Sequence, residues 1–171
     1  TVLSVCSAAL FVGVSATSMA ETFKAADVHP EGYPNVVAMQ SMGKKLQAAT
    51  KGRLSIKMFP GGSLGGEKEA IEQAQVGALQ IVRISLGAVG PVVPDVNVFN
   101  MPFVFRDEAH MRKVVDGPIG DEILQKVTNS SAGLVGLGWM DGGTRNLYTK
   151  KPVRQLADLG GDAGTDPGIF R

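Results

Sequence analysis

Cysteine is almost missing from this chain of 171 residues: its single representative, Cys6, lies in an uncharged amino-terminal stretch. Past that stretch, disulfides, thiolate metal sites and thiol nucleophiles are all excluded. Histidine is nearly as scarce. His29 and His110 are the only two, and neither has a second ligand at helical spacing, so neither a structural metal nor a histidine-based triad is expected. Charge of one sign is also lacking: 17 Lys plus Arg stand against 16 Asp plus Glu, with no basic block along the chain. A broad positive field of the kind that grips nucleic acid is therefore not expected. Aromatic residues are only 6%. Hydrophobic residues reach 44% and charged residues 19%, so neither a disordered tail nor a multi-span membrane protein fits, and a packed core is expected. The length allows one ordinary domain or slightly more. What is plentiful is glycine, 22 residues, which implies many tight turns and close backbone approaches.

Thr1 to Ala20 carry no charge, and Ala8 to Val14 form a short apolar centre. Ser18 and Ala20 provide the small-x-small pattern of a signal-peptidase site, so residues 1–20 read as a signal peptide cleaved after Ala20. Ser4, Ser7, Ser15, Thr17 and Ser18 interrupt what a retained membrane anchor needs, roughly 20 mainly apolar residues. Leu3, Ser4 and Val5 lack the small residue expected just before a lipidated cysteine, which leaves lipid anchoring at Cys6 the lesser alternative. With no initiating Met or basic segment ahead of the apolar centre, the first residues are expected to be missing.

The remainder alternates two periods. A strand is expected over Thr22 to Ala26, then a helix opened by His29 and Pro30 and running to Thr50, with Gly52 as its stop. Leu54, Ile56 and Met58 alternate with Arg53, Ser55 and Lys57, as in a half-buried strand. A helix from Gly66 to Val76 follows, with Glu67 and Glu69 at its positive end. Leu79 to Ile84 then make a nearly continuous apolar strand, suited to a parallel sheet covered on both faces. This strand and helix alternation is the signature of an α/β fold. Val96 to Phe99 are expected as a strand, Asp107 as the cap of a helix containing Met111, Val114 and Val115, and Ile119, Ile123, Leu124 and Val127 as the stripe of another. Leu134 to Met140 and Asn146 to Thr149 read as two more strands.

Some residues have chemistry to offer. Gly61 to Gly66 lie between a strand and a helix like a phosphate loop, but Glu67 stands where a lysine is needed, and a turn is the better reading. Ser85 and Gly87 supply only half of a nucleophile elbow, because Arg83 occupies the place of its first glycine. Arg83 interrupts an apolar strand near its carboxy end, where open α/β sheets bind ligands, and a buried guanidinium must have a partner. That partner is either an internal carboxylate or a ligand. Arg145 follows Asp141-Gly142-Gly143-Thr144, a flexible turn from which its fork can meet a ligand carboxylate, the alternative being a free surface arginine. His29, just before a helix, is a cap or a ligand contact.

Several segments occur together in one order: Ala26-Asp27-Val28-His29-Pro30, Thr50-Lys51-Gly52-Arg53-Leu54, Phe59-Pro60-Gly61-Gly62 through Leu64-Gly65-Gly66-Glu67, Met101-Pro102-Phe103, Asp116-Gly117-Pro118, and Gly143-Thr144-Arg145-Asn146. In this the chain resembles the DctP-type substrate-binding subunits of tripartite ATP-independent periplasmic (TRAP) transporters, over about residues 21 to 160. The resemblance implies a periplasmic protein of two α/β lobes that closes on an organic acid, a sugar acid or a dicarboxylate, and delivers it to membrane permease subunits. No enzymatic activity and no cofactor are implied. By position, Arg145 resembles a cleft arginine of the family, and His29, Glu67 and Arg83 resemble its polar first-lobe residues facing the ligand. On this reading residues 21–142 form a periplasmic-binding-protein-like first lobe and 143–160 a crossover toward a second lobe that is missing. Gly161 to Arg171 resemble no part of the family, so truncation or frameshift is expected. The alternatives are a non-functional fragment of such a protein and a small secreted enzyme using His29 or Ser85.

Overall fold

The computed structural model of the chain describes residues 20–143, 149, 152–155 and 158. Its architecture follows from three short strands that cannot be joined by hairpins. β1 (Glu21–Ala26) is paired in parallel with β2 (Leu54–Phe59) from Glu21 opposite Leu54 to Ala26 opposite Phe59. On its other side β1 meets β3 (Ile81–Val82), with Ala25 opposite Ile81 and Ala26 opposite Val82. Parallel neighbours need crossovers. These are α1 (Pro34–Ala49) between β1 and β2, and α2 (Glu67–Gln75) between β2 and β3, giving the order β2-β1-β3.

The crossovers are held closely. Val36, Met39 and Gly43 are the buried stripe of α1, and a Cβ added at Gly43 would lie 3.0 Å from Ile56 Cβ, so the helix backbone rides directly on β2. The Thr50 hydroxyl donates to Leu46 O at 2.8 Å and accepts from Leu54 N at 3.0 Å, tying the last turn of α1 to the first residue of β2. Under the carboxy end of β1, Ala26, Ala70 and Leu79 are buried together with Leu64, Val82 and Ile84 packed around them. Ala25 and Ala26 are the buried residues of the central strand, small enough for the helices to approach.

Past the sheet come α3 (Leu86–Val89), a 3-10 helix (Pro94–Asn100), α4 (Glu108–Val115) and α5 (Pro118–Asn129). Residues of α3, the 3-10 helix and α5 build a second core around Val93, Val96, Ile123, Val127 and Ala132, with Phe99 and Trp139 in edge-on contact at its margin. Asp107 caps α4 as its sequence position predicts, its carboxylate accepting from His110 N at 2.7 Å. The turn from α4 to α5 is tight, and at Gly120 a Cβ would fall 1.9 Å from Val115 O. Among the described residues, no helix is long and apolar enough to cross a membrane.

The sequence expectations need five corrections. The first helix starts at Pro34, not Pro30; residues 30–33 form a turn closed by Tyr33 N to Pro30 O at 3.2 Å, with Gly32 at φ 83°. The strand expected over Leu79 to Ile84 is reduced to Ile81–Val82, because Arg83 already turns toward a polar partner and Leu79 belongs to the core beneath. Val96 to Phe99 are 3-10 helix, since Pro94 starts a helical turn and Val96 alone of the stretch is buried. Leu134 to Met140 alternate in exposure but form no strand, having no backbone partner among the described residues. Ile119, expected in the buried stripe of α5, is exposed. Asn146 to Tyr148 lie outside the described residues, and Thr149 is irregular.

The chain divides into two compact units, Thr1–Trp139 and Met140–Arg171. In the second, Asp141 accepts from Gly143 N at 2.8 Å, and Asp158 accepts from Arg154 N at 2.9 Å and Gln155 N at 3.1 Å. Those two backbone N–H groups hold the Asp158 carboxyl below its ordinary value.

Candidate ligand-binding site

The carboxy ends of parallel strands leave the ladder with unfinished pairing and face the loops, which is where an α/β sheet gathers its functional groups. Here the ladder runs one step past each strand. Asp27 N donates to Phe59 O at 3.2 Å, and Arg83 N donates to Ala26 O at 3.0 Å. Asp27, Arg83 and the opening residue of α2, Glu67, are thereby brought to one end of the sheet.

The glycine turn after β2 pins this arrangement. Gly61 and Gly62 both have positive φ, 68° and 65°, a conformation that side-chain-bearing residues adopt only at a cost. It lets Gly61 N donate to His29 O at 2.7 Å and Gly62 N to Asp27 O at 3.1 Å. The turn reading of Gly61 to Gly66 is thus supported: the N–H groups of these two glycines are spent on the Asp27–His29 loop and are not offered to a phosphate.

Asp27 is the centre of the cluster. Its side chain is 0% exposed, and one oxygen, Oδ1, receives Arg83 Nη2 at 2.8 Å, Arg83 Nε at 3.0 Å, His29 N at 3.0 Å and a contact from His29 Nδ1 at 2.8 Å. Burial, the largest influence, pushes the Asp27 carboxyl upward, but the hydrogen bonds from Arg83 and His29 together outweigh it and hold the group below its ordinary 3.8. The second oxygen, Oδ2, is buried without a hydrogen-bond partner. It belongs to a residue that lines a small recess with Ala26, Gly62, Leu64, Glu67 and Arg83.

Arg83 has a second anionic partner: Nη1 lies 3.2 Å from Glu67 Oε1. Glu67 in turn accepts from Ser85 N at 2.9 Å and from the Ser85 hydroxyl. His29 stacks flat on Tyr33, with ring centroids 3.9 Å apart and planes 11° from parallel.

His29, Glu67 and Arg83, three of the four residues singled out from sequence, therefore come together; Arg145 lies outside the described residues. Arg83 has the internal carboxylate partners that its place in an apolar strand called for, Asp27 and Glu67. Sequence reasoning assigned no role to Asp27, although a carboxylate directly after the small, buried Ala25-Ala26 end of a strand was a usable signal. Ser85, considered as a nucleophile, hydrogen-bonds through its hydroxyl to a carboxylate and not to an imidazole. Among the described residues, no group of three or more His, Cys, Asp or Glu side chains is placed to hold a metal ion.

Residues 25–163 match the family described as DctP, bacterial extracellular solute-binding protein, family 7. A solute-binding protein of Chromohalobacter salexigens is 35% identical over 153 residues, which are 89% of this chain and 45% of that protein. A TRAP periplasmic solute binding protein from Pseudomonas putida, solved with bound D-glucuronate, is 67% identical with a TM-score of 0.78, covering 81% of this chain and 45% of that one. Another from Citrobacter koseri, also with bound D-glucuronate, is 58% identical with a TM-score of 0.76, covering 81% and 46%. The chain thus spans about half the length of the relatives it matches, and shares with these structures an α/β architecture on a parallel sheet.

Proposed function

This chain belongs to bacterial extracellular solute-binding protein family 7, the DctP family, and on that premise we propose that it supplies one wall of a cleft that captures a sugar acid for a TRAP permease. Members of the family are transport proteins that bind small acids and work with membrane permease components, and no reaction is proposed for this one. Periplasmic residence after cleavage behind Ala20 is part of the proposal.

The observation that carries the ligand class is the sharing of one guanidinium between two carboxylates. Arg83 touches both Asp27 and Glu67, so the two carboxylates and the guanidinium together sum to a formal charge of −1. A ligand carboxylate brought to it would meet Glu67 and be repelled, whereas a hydroxyl can donate to the remaining lone pairs of Glu67 and accept from Arg83. A polyhydroxylated acid offers such groups; an unsubstituted C4 dicarboxylate offers none. The ligand's own carboxylate is then assigned to Arg145, whose planar fork suits it. The D-glucuronate bound by the Pseudomonas putida relative is of the expected type.

The test is a hybrid in which residues 21–149 of this chain are followed by the corresponding remainder of the Pseudomonas putida protein. Calorimetry should show uronate or aldonate binding with a dissociation constant in the micromolar range or tighter. Binding of succinate or fumarate in preference, or of no acid at all, would refute the assignment, and turnover of any of them would restore the enzyme reading. For localisation, protein recovered from the periplasm should begin at Glu21.

A further inference from the structure

We infer that the recess lined by Asp27, Glu67 and Arg83 is a binding site for a single water molecule, which donates a hydrogen bond to Asp27 Oδ2 and accepts one from the first turn of α2. The site goes beyond the sugar-acid reading and does not depend on it.

Two features of different origin meet in the recess. One is a carboxylate oxygen in need of a donor. The Asp27 side chain has no exposure, its Oδ1 takes the hydrogen bonds from Arg83 and the His29 backbone, and its Oδ2 is buried without a partner. A buried polar atom left in that state is costly. The carboxyl is held below its ordinary value, so at neutral pH it is ionised and only accepts. The other feature is a set of donors in need of an acceptor. The first N–H groups of a helix have no intrahelical partner, and α2 opens after Gly66, which has no side chain to cap it. Ala70 N reaches Gly66 O, but the N–H groups of Glu67, Lys68 and Glu69 have no acceptor among the described residues. Lys68 and Glu69 are exposed, whereas Gly65, Glu67 and Ala70 line the same recess as Asp27 and Arg83.

Size and charge select the occupant. The recess has a volume of about 10 Å³, close to the ~10–15 Å³ that one water requires, and it cannot take a carboxylate group or a sugar ring. A cation would meet the Arg83 guanidinium and the positive end of α2. An anion would meet the Asp27 and Glu67 carboxylates. Water is neutral, and it donates and accepts at once, which is what Oδ2 and the Glu67 N–H together demand. Glu67, on the same recess, offers a carboxylate for the second hydrogen. The bridge ties the end of β1 to the helix that carries Glu67, so this wall is set before any ligand arrives.

The test uses the chain as it is, without ligand, so it can fail while the sugar-acid reading survives, and the reverse. A crystal structure at a resolution that shows ordered water should place one water ~2.6–3.2 Å from both Asp27 Oδ2 and the Glu67 amide nitrogen. In solution, the Glu67 amide proton should show water cross-peaks of opposite sign in NOE and ROE spectra, the mark of a water that is held. The Ser85 hydroxyl bonds to Glu67 and can relay such a signal by exchange, so the cross-peaks should survive in Ser85→Ala. An Oδ2 with no water, an Arg83 turned to pair with both Asp27 oxygens, or an ion in the recess overturns the inference. Cross-peaks that are absent, or that vanish in Ser85→Ala, overturn it equally.

Discussion

Replacing Arg83 with methionine should cost more stability than any surface substitution, and the cost should depend on pH in a direction opposite to the parent's. Methionine keeps much of the length and apolar volume of the arginine stem, so packing changes little. What disappears is the partner of a carboxylate that has no solvent exposure, including the donors Nε and Nη2 at 3.0 and 2.8 Å. Breaking a buried ion pair on one side typically costs about 3–5 kcal/mol, a large part of the roughly 5–15 kcal/mol by which a domain is stable. Glu67 loses less, since Ser85 still donates to it twice. In the parent, the Asp27 carboxyl is held below 3.8, so its contribution is present above that value and fades as pH falls through the lower native one. In Arg83→Met the upward push of burial faces only His29, and the carboxyl should rise above its unfolded value. The folded variant then binds the proton more tightly than the unfolded chain, and its stability falls as pH rises through the ordinary carboxylate range. Urea denaturation of both proteins followed by circular dichroism from pH 4 to pH 8 measures the difference. The gap should widen toward pH 8 and narrow toward pH 4. A gap under about 1 kcal/mol, or one that does not change with pH, would show that Asp27 does not depend on Arg83 and would refute the reasoning.

Three further outcomes are expected. Gly120→Ala puts a methyl group 1.9 Å from Val115 O, so the α4–α5 turn must open; despite a helix-propensity gain of ~1 kcal/mol, a net loss of about 2 kcal/mol or more should appear in the same urea titrations. Asp107→Ala removes the acceptor of His110 N and should cost about 1 kcal/mol, while Asp107→Asn keeps most of the cap, as thermal melts will report. In the two-lobe hybrid, Arg145→Ala should weaken uronate binding by about 2–5 kcal/mol, and Arg145→Lys should also be harmful because an ammonium lacks the planar fork; calorimetric affinities within twofold of the parent would remove Arg145 from the site.

The sequence by itself determined what depends on neighbours along the chain. The alternation of Leu54, Ile56 and Met58 sets a strand face, Gly61 and Gly62 demand a turn with positive φ, Asp107 caps the helix that follows it, and Pro118 starts another. These are local matters of backbone sterics and of donors within a few residues' reach. The α/β class was legible for the same reason, since period-two and period-3.6 segments alternate. Even there, Pro30 and Pro34 are equally able to start α1, and only the turn closed onto Pro30 O selects the second. Whether a segment with strand character becomes a strand was decided by the tertiary structure. Leu134 to Met140 have the alternation but no backbone partner among the described residues, and Val96 follows Pro94 into a 3-10 helix over the second core. The site divides in the same way. His29, Glu67 and Arg83 were recognisable as polar residues in unusual company, but their meeting point was not. Asp27 and Arg83 are 56 residues apart in sequence, and only the β2-β1-β3 order places both strand ends side by side. A buried carboxylate is stable only where donors from distant segments converge on it, and that convergence is a property of the folded sheet.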